Sequence, residues 1–197
     1  MKLPLLTLAA GVLIGLAFGG RLGNLLGVKL RWGPMALIGL AMQGVPIPED
    51  LEGLGVLVLV ASFVPLGLFV GANIRLPGAA LLMLGLLMNF AVISANQGMP
   101  VSRHALIASG QAETLDALLR DGGVRHHLAT QDDVLRPLGD VIPVGGFVGK
   151  AVSPGDLAAY AGGGWMLVAL MRRRRGGVKR VRTGPSPPAK VAEAAAR

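Results

Sequence analysis

The feature that most constrains this chain is where its charges are missing. Five blocks, residues 3–20, 34–47, 54–73, 76–96 and 157–171, contain no Asp, Glu, Lys, Arg or His. A soluble amphipathic helix would interrupt such a block with charge on almost every turn. A hydrocarbon core about 30 Å thick is crossed by roughly 20 apolar helical residues, or fewer where flanking groups draw the ends to the interface. The blocks therefore predict an all-α membrane protein with about five transmembrane helices. Block 34–47 is the shortest. Trp32 beside Arg31 gives it interfacial anchors, and a re-entrant or interfacial helix is the alternative there. Block 3–20, with Lys2 before it and small residues at Ala17 and Gly19, also admits a cleaved signal peptide.

Five spans alternate sides, so each loop tests the orientation separately. Arg21, Lys29, Arg31, Arg75 and the run Arg172, Arg173, Arg174, Arg175 fall on one side. Glu49, Asp50, Glu52 and the mixed segment 97–153 fall on the other, and only Lys2 dissents. The expected placement is a multi-pass protein of the cell membrane, N-terminus outside and C-terminus cytoplasmic. The net charge of +8 resides entirely in residues 172–197, since residues 1–171 carry ten basic and ten acidic groups. That tail has no apolar periodicity and reads as disordered. Its arginines directly follow a span and lack interleaved aromatics, so they predict contact with lipid headgroups and no nucleic acid. Cysteine is absent, which excludes disulfides and thiolate chemistry. The organisation expected is a four-span region 1–96, an extracytoplasmic lid 97–153, a fifth span 154–171 and a basic cytoplasmic tail 172–197.

Gly11, Gly15, Gly19, Gly23 and Gly27 recur every four residues, and Gly67 and Gly71 repeat the spacing. On helices these form faces that admit a neighbouring backbone, so a protein partner or a second copy of the chain is expected there. In segment 97–153, residues 102–109 and 112–120 predict short helices, the second amphipathic through Leu115, Leu118 and Leu119 and ended by Gly122. Pro137, Gly139, Pro143, Gly145 and Gly146 favour turns over regular structure. Ser153-Pro154-Gly155-Asp156 predicts a capping box opening the last helix.

No phosphate loop, nucleophile elbow, zinc-protease helix or dinucleotide fingerprint is present, and neither a cofactor nor a metal is predicted. Among polar residues in the blocks, Asn89 and Asn96 lie seven apart on one helical face, and Gln43 is placed to meet Asn89 across an interface. Interhelical hydrogen bonding accounts for them, with a polar substrate path as the functional alternative. His104, His126 and His127 lie on the outer side with Asp132, Asp133 and Asp140. Adjacent histidines point apart, so spacing alone does not assemble a metal or acid–base site.

The strings Asn96-Gln97-Gly98-Met99-Pro100-Val101-Ser102, His127-Leu128, Leu138-Gly139-Asp140-Val141-Ile142-Pro143 and Val152-Ser153-Pro154-Gly155-Asp156 resemble the signature of an uncharacterised bacterial membrane-protein family, domain of unknown function 5317. The layout matches over most of residues 1–171, with specific residues from Asn89 onward, and the family more often has glycine where Gln97 stands. The resemblance implies a bacterial polytopic membrane protein and no activity. It singles out Asn89, Asn96, Met99, Pro100, His127, Asp140 and Asp156 as candidate binding or lid residues. The leading expectation is a non-enzymatic accessory or scaffold component of a membrane assembly. The alternative is a small-molecule or lipid-handling protein with a polar pocket under the lid, and a membrane-embedded hydrolase or metal enzyme using His127 and Asp140 ranks last.

Overall fold

A computed structural model describes residues 2–48 and 51–173. The expectations for the tail beyond Arg173, Arg174 and Arg175 included, lie outside the described residues. The described part is mostly helical: α1 Lys2–Ala17, α2 Gly33–Gly44, α3 Glu52–Ala72, α4 Ala79–Asn96, α5 Arg103–Ala108, α6 Ala112–Asp121 and α7 Pro154–Arg172. Four three-residue strands are added within segment 97–153: β1 Met99–Val101, β2 His126–Leu128, β3 Ile142–Val144 and β4 Lys150–Val152. Two helices, over Gly53–Ala72 and Ala79–Asn96, are long and apolar enough to cross a membrane. The apolar helix α1 has 16 residues and α2 has 12, so α2 rises about 18 Å, well short of a hydrocarbon core.

The five long helices lie in the spatial order α1, α7, α4, α3, α2, each packed on the next. The closest approach is between α4 and α7. A side chain on Gly85 would strike the backbone of Gly155 and Ala159, and one on Gly162 would strike the backbone of Leu82 and Gly78. The paired positions rise on one helix as they fall on the other, so α4 and α7 are antiparallel. Such close backbone contact lets the two helices gain dispersion energy. Gly11 meets Gly164 and Leu167, and Gly15 meets Met171, which makes α1 parallel to α7. Gly39 seats Leu66 of α3 against α2, and Gln43 donates to Ser62 Oγ at 3.2 Å. On the α3–α4 side, Phe63 and Phe90 meet edge to face with centroids 5.9 Å apart.

These contacts correct the reading of the first glycine series as one helical face. Helix α1 ends at Ala17, so Gly19 lies in a turn with φ +77° and Gly23 and Gly27 in the 3-10 turn Leu22–Gly27. Gly67 meets nothing within 4 Å, and Gly71 only Met83 at 3.8 Å. The tight seam is built instead from Gly85, Gly155 and Gly162, with Gly78 at the start of α4, and joins helices far apart in sequence.

One end of the bundle gathers Arg21, Lys29, Arg31, Arg75, Arg172 and Arg173 around two neighbouring cavities. Segment 97–153 packs at the opposite end, where Val124 covers Gly55 and the Arg125 guanidinium donates to the carbonyls of Gln43 and Val45. The bundle sides carry exposed Leu13, Leu37, Leu57, Leu87 and Trp165, one from each long helix. Only 28% of the apolar stretch of α3 and 22% of that of α4 is buried.

Candidate functional site

Segment 97–153 is organised around β1, which leaves α4 through a sharp reversal. Gln97 adopts φ +53° and its N–H bonds the Ile93 carbonyl, as does that of Gly98 at 3.0 Å. A left-handed turn, which glycine adopts most readily, thus forms here with glutamine. β1 pairs in parallel with β2, Met99 opposite His126 and Pro100 opposite His127, and Val101 bridges Asp140. That pairing buries Met99 and Pro100. A tight approach of Gly139 to the Pro100 carbonyl leaves no room for a side chain. Asn96 does more than cap its helix. Its amide nitrogen donates to Val92 and Val134 carbonyls at 2.8 and 2.9 Å, while its oxygen accepts from Val134 N at 2.9 Å. β3 and β4 form an antiparallel hairpin where turns alone were expected, and Pro143 is tolerated because it pairs with Ala151 in a two-stranded sheet, where Ala151 N bonds Gln111 and takes no ladder bond from Pro143.

The predicted capping box is present: Ser153 Oγ accepts from Asp156 N at 2.9 Å and Asp156 Oδ2 accepts from Ser153 N at 3.5 Å. Both residues also lock onto α4, since Asn89 Nδ2 donates to Asp156 Oδ1 at 2.7 Å and Ser153 Oγ donates to Asn89 Oδ1 at 2.9 Å. Gly155 is required beside them, as a side chain there would overlap Asn89. Asn89 therefore pairs with α7, and Gln43, expected to meet it, bonds Ser62 of α3 instead.

The candidate residues divide. Asp140 lines a cavity of about 420 Å³ together with His126, Lys150, Arg125, Gln111 and Thr114. Its apolar walls come from Val45, Pro46 and Ile47 after α2 and from Leu106 and Leu118. His127 does not join them. It sits on the strand neighbour of His126 and meets Asp133, Nε2 to Oδ1 2.9 Å. Burial acts to raise the Asp133 pKa, but the Thr130 N–H, His127 and the Thr130 hydroxyl outweigh it and hold the carboxyl below its usual range. His127 and Asp140, named together in the last-ranked reading, do not meet, and His126 faces Asp140 instead. Strand alternation was the available signal, because if one of two adjacent histidines leaves the cavity the other enters it.

Asp140 is the unusual group. It is 8% exposed, and its Oδ1 is buried without a hydrogen-bond partner. Burial, then the negative charge of Asp156, push its carboxyl up to about 7 against the opposing pull of Lys150. Its Oδ2 lies 3.9 Å from His126 Nε2, beyond hydrogen-bond reach. His126 keeps half its side-chain surface open, yet crowding by protein, then Lys150, Arg125 and His127, hold its imidazole below the ordinary histidine range. Near neutrality the cavity thus offers a partly protonated acid, an uncharged imidazole and the exposed cation Lys150. Among the described residues no three His, Asp or Glu side chains gather in a way that would hold a metal ion.

Fold and site together define a mostly helical protein with two membrane-length apolar helices and a small α/β segment enclosing a polar-floored cavity. Residues 27–168 match a family of unknown function, DUF5317, and the chain belongs to that family. The match spans α2 to most of α7 and holds every residue of the cavity, whereas α1 lies before it. No curated protein and no solved structure matches the chain.

Proposed function

We propose that this is a multi-pass membrane protein in which segment 97–153 is an extracytoplasmic lid over a binding site for a small amphiphile. The observation that carries the site is the cavity with Asp140 at its floor, a buried acid with one oxygen unpartnered. An unsatisfied buried polar atom costs roughly 1–3 kcal/mol, and a ligand donor or acceptor would recover it. Polar groups on one side and the 45–47 segment with Leu106 and Leu118 on the other suit a ligand with a polar head and an apolar body. A volume of about 420 Å³ lies in the range of small-molecule sites.

Support for five membrane helices comes from their directions, which alternate as consecutive crossings require, and from cations gathered at the end opposite the lid. Exposed Leu, Ile and Phe on α1, α2, α3 and α4, and exposed Leu157 and Trp165 on α7, exceed what a soluble monomer tolerates. α2 is continued by the non-helical 45–48 stretch, which at full strand rise would add about 13 Å toward a complete crossing. Arg125 satisfies the two carbonyls that this break in the helix would leave unmet. The same reading gives N-terminus outside and C-terminus cytoplasmic. The accessory-component alternative keeps the glycine pair Gly67 and Gly71, which is unpacked on α3, whereas the face of Gly11 and Gly15 is already occupied by α7.

The test uses an environment-sensitive fluorescent fatty acid and purified protein. Thr114→Trp, which fills the cavity from an exposed position, and Asp140→Ala should each weaken probe binding tenfold or more, whereas His127→Ala should leave it within twofold. Equal binding by all three variants and the parent would refute the site.

A further inference from the structure

At the end of the bundle away from Asp140, four cations converge on one cavity. Lys29 and Arg31 come from the loop before α2, Arg75 from the α3–α4 turn and Arg173 from the end of α7, and together they line about 450 Å³. None of the four is ion-paired with a carboxylate among the described residues. A topological bias toward Lys and Arg accounts for their number on this side. It does not account for three separated stretches of chain delivering them to one concave place, where like charges repel.

The cradle is built, and its anchor is Asn73. This residue is 7% exposed; its Oδ1 accepts from Arg31 N at 3.1 Å, and its Nδ2 donates to the Arg31 and Phe69 carbonyls at 2.8 Å. The loop before α2 is thereby fixed to the α3–α4 turn. A second anchor joins the same loop to α7, through Arg21 N and Asn24 Nδ2 donating to the Met171 carbonyl at 2.9 and 2.7 Å. The backbones that carry the cations are held by these bonds, while the cationic heads remain uncommitted. Val28 and Leu76 border the cavity and supply apolar surface beside it.

We propose that this cavity binds a phosphate-bearing anion, the headgroup of an acidic phospholipid in the adjoining leaflet. Arginine forks match phosphate oxygens bidentately and Lys29 adds a mobile charge. Apolar Val28 and Leu76 suit the start of an acyl chain. The inference is independent of the Asp140 cavity and takes from the membrane reading only the source of the phosphate.

Full-length protein in a non-ionic detergent is titrated with short-chain phosphatidylglycerol, with short-chain phosphatidylcholine and with inorganic phosphate, following thermal stability. Phosphatidylglycerol should stabilise the parent and phosphatidylcholine should not. In Lys29→Gln/Arg75→Gln the half-maximal concentration should rise about 25-fold, at roughly fivefold per cation removed beside an anionic group. The control Arg174→Gln/Lys179→Gln should stay within twofold of the parent, which separates this cavity from general attraction by the tail. Stabilisation by inorganic phosphate that the double variant abolishes would keep the anion site and assign it to a free phosphate. If the double variant does not fold, Arg75→Lys, which keeps charge and loses the fork, should still weaken the phosphatidylglycerol response about threefold. Equal responses of the parent and every folded cavity variant would overturn the proposal.

Discussion

Gly162→Ala is the most direct probe of what holds the bundle together. An added Cβ would lie 2.7 Å from Gly78 O and 2.8 Å from Leu82 Cα, with Leu82 N closer still. All three are backbone atoms, so no side chain can swing aside and the helices must separate locally. Overpacking of this kind costs about 1–3 kcal/mol. Alanine's intrinsic advantage over glycine in a helix, up to about 1 kcal/mol, opposes it. Gly163 provides the control on the same helix, since its Cβ would meet nothing within 4 Å. Gly163→Ala should be neutral or slightly stabilising, and Gly162→Ala should fall below it by about 1–3 kcal/mol, the packing penalty alone, because the propensity gain is common to both variants and cancels. Thermal unfolding in detergent, read by size-exclusion recovery after heating, measures the gap. Separation should also disturb the Asn89–Asp156 bond two turns away, so Asn89→Ala should cost less in the Gly162 variant than in the parent. If Gly162→Ala and Gly163→Ala unfold together, the close seam does not carry the stability assigned to it.

Asp140 has a folded pKa raised above its unfolded value, so its contribution to stability is complete below about pH 4 and is lost as pH rises through about 7. His126, held down to about 4, contributes the opposite slope between about pH 4 and 6.5, so the parent should be near level there and lose stability toward pH 7, and Asp140→Asn should make stability rise with pH across that window; identical profiles for parent and variant would refute the buried acid. Ser153→Ala removes a helix cap and a bond to Asn89 together, and should cost about 1–2 kcal/mol in unfolding experiments. Gln97→Gly relieves a left-handed residue at φ +53° and should raise stability by up to about 1 kcal/mol, which a lower melting temperature would contradict. For orientation, Asp132→Cys should react with an impermeant thiol reagent in intact cells and Val178→Cys should not; the reverse pattern would invert the proposed topology.

The sequence by itself determined the features that depend on neighbours in the chain. Uncharged blocks marked the long helices because an apolar run needs no partner to be apolar. Ser153 and Asp156 announced their capping box because both halves lie within one turn, and Gly122 marked the end of α6 for the same reason. The short α2 was legible as a weak block but not its termination at Gly44, where Arg125 takes over the carbonyls from a distance of about eighty residues. Tertiary structure alone decided which glycines matter. A four-residue spacing in Gly11 to Gly27 carries no information about whether the helix continues, and it stops at Ala17. The glycines that meet, Gly85 with the Gly155 backbone and Gly162 with the Gly78 backbone, sit on separate helices whose register no local pattern encodes. The site divided in the same way. Asp140 was legible as a motif residue, but that His126 and not His127 faces it was decided only when β1 and β2 paired, because strand pairing fixes which face each side chain takes and is a contact between residues about twenty-seven positions apart.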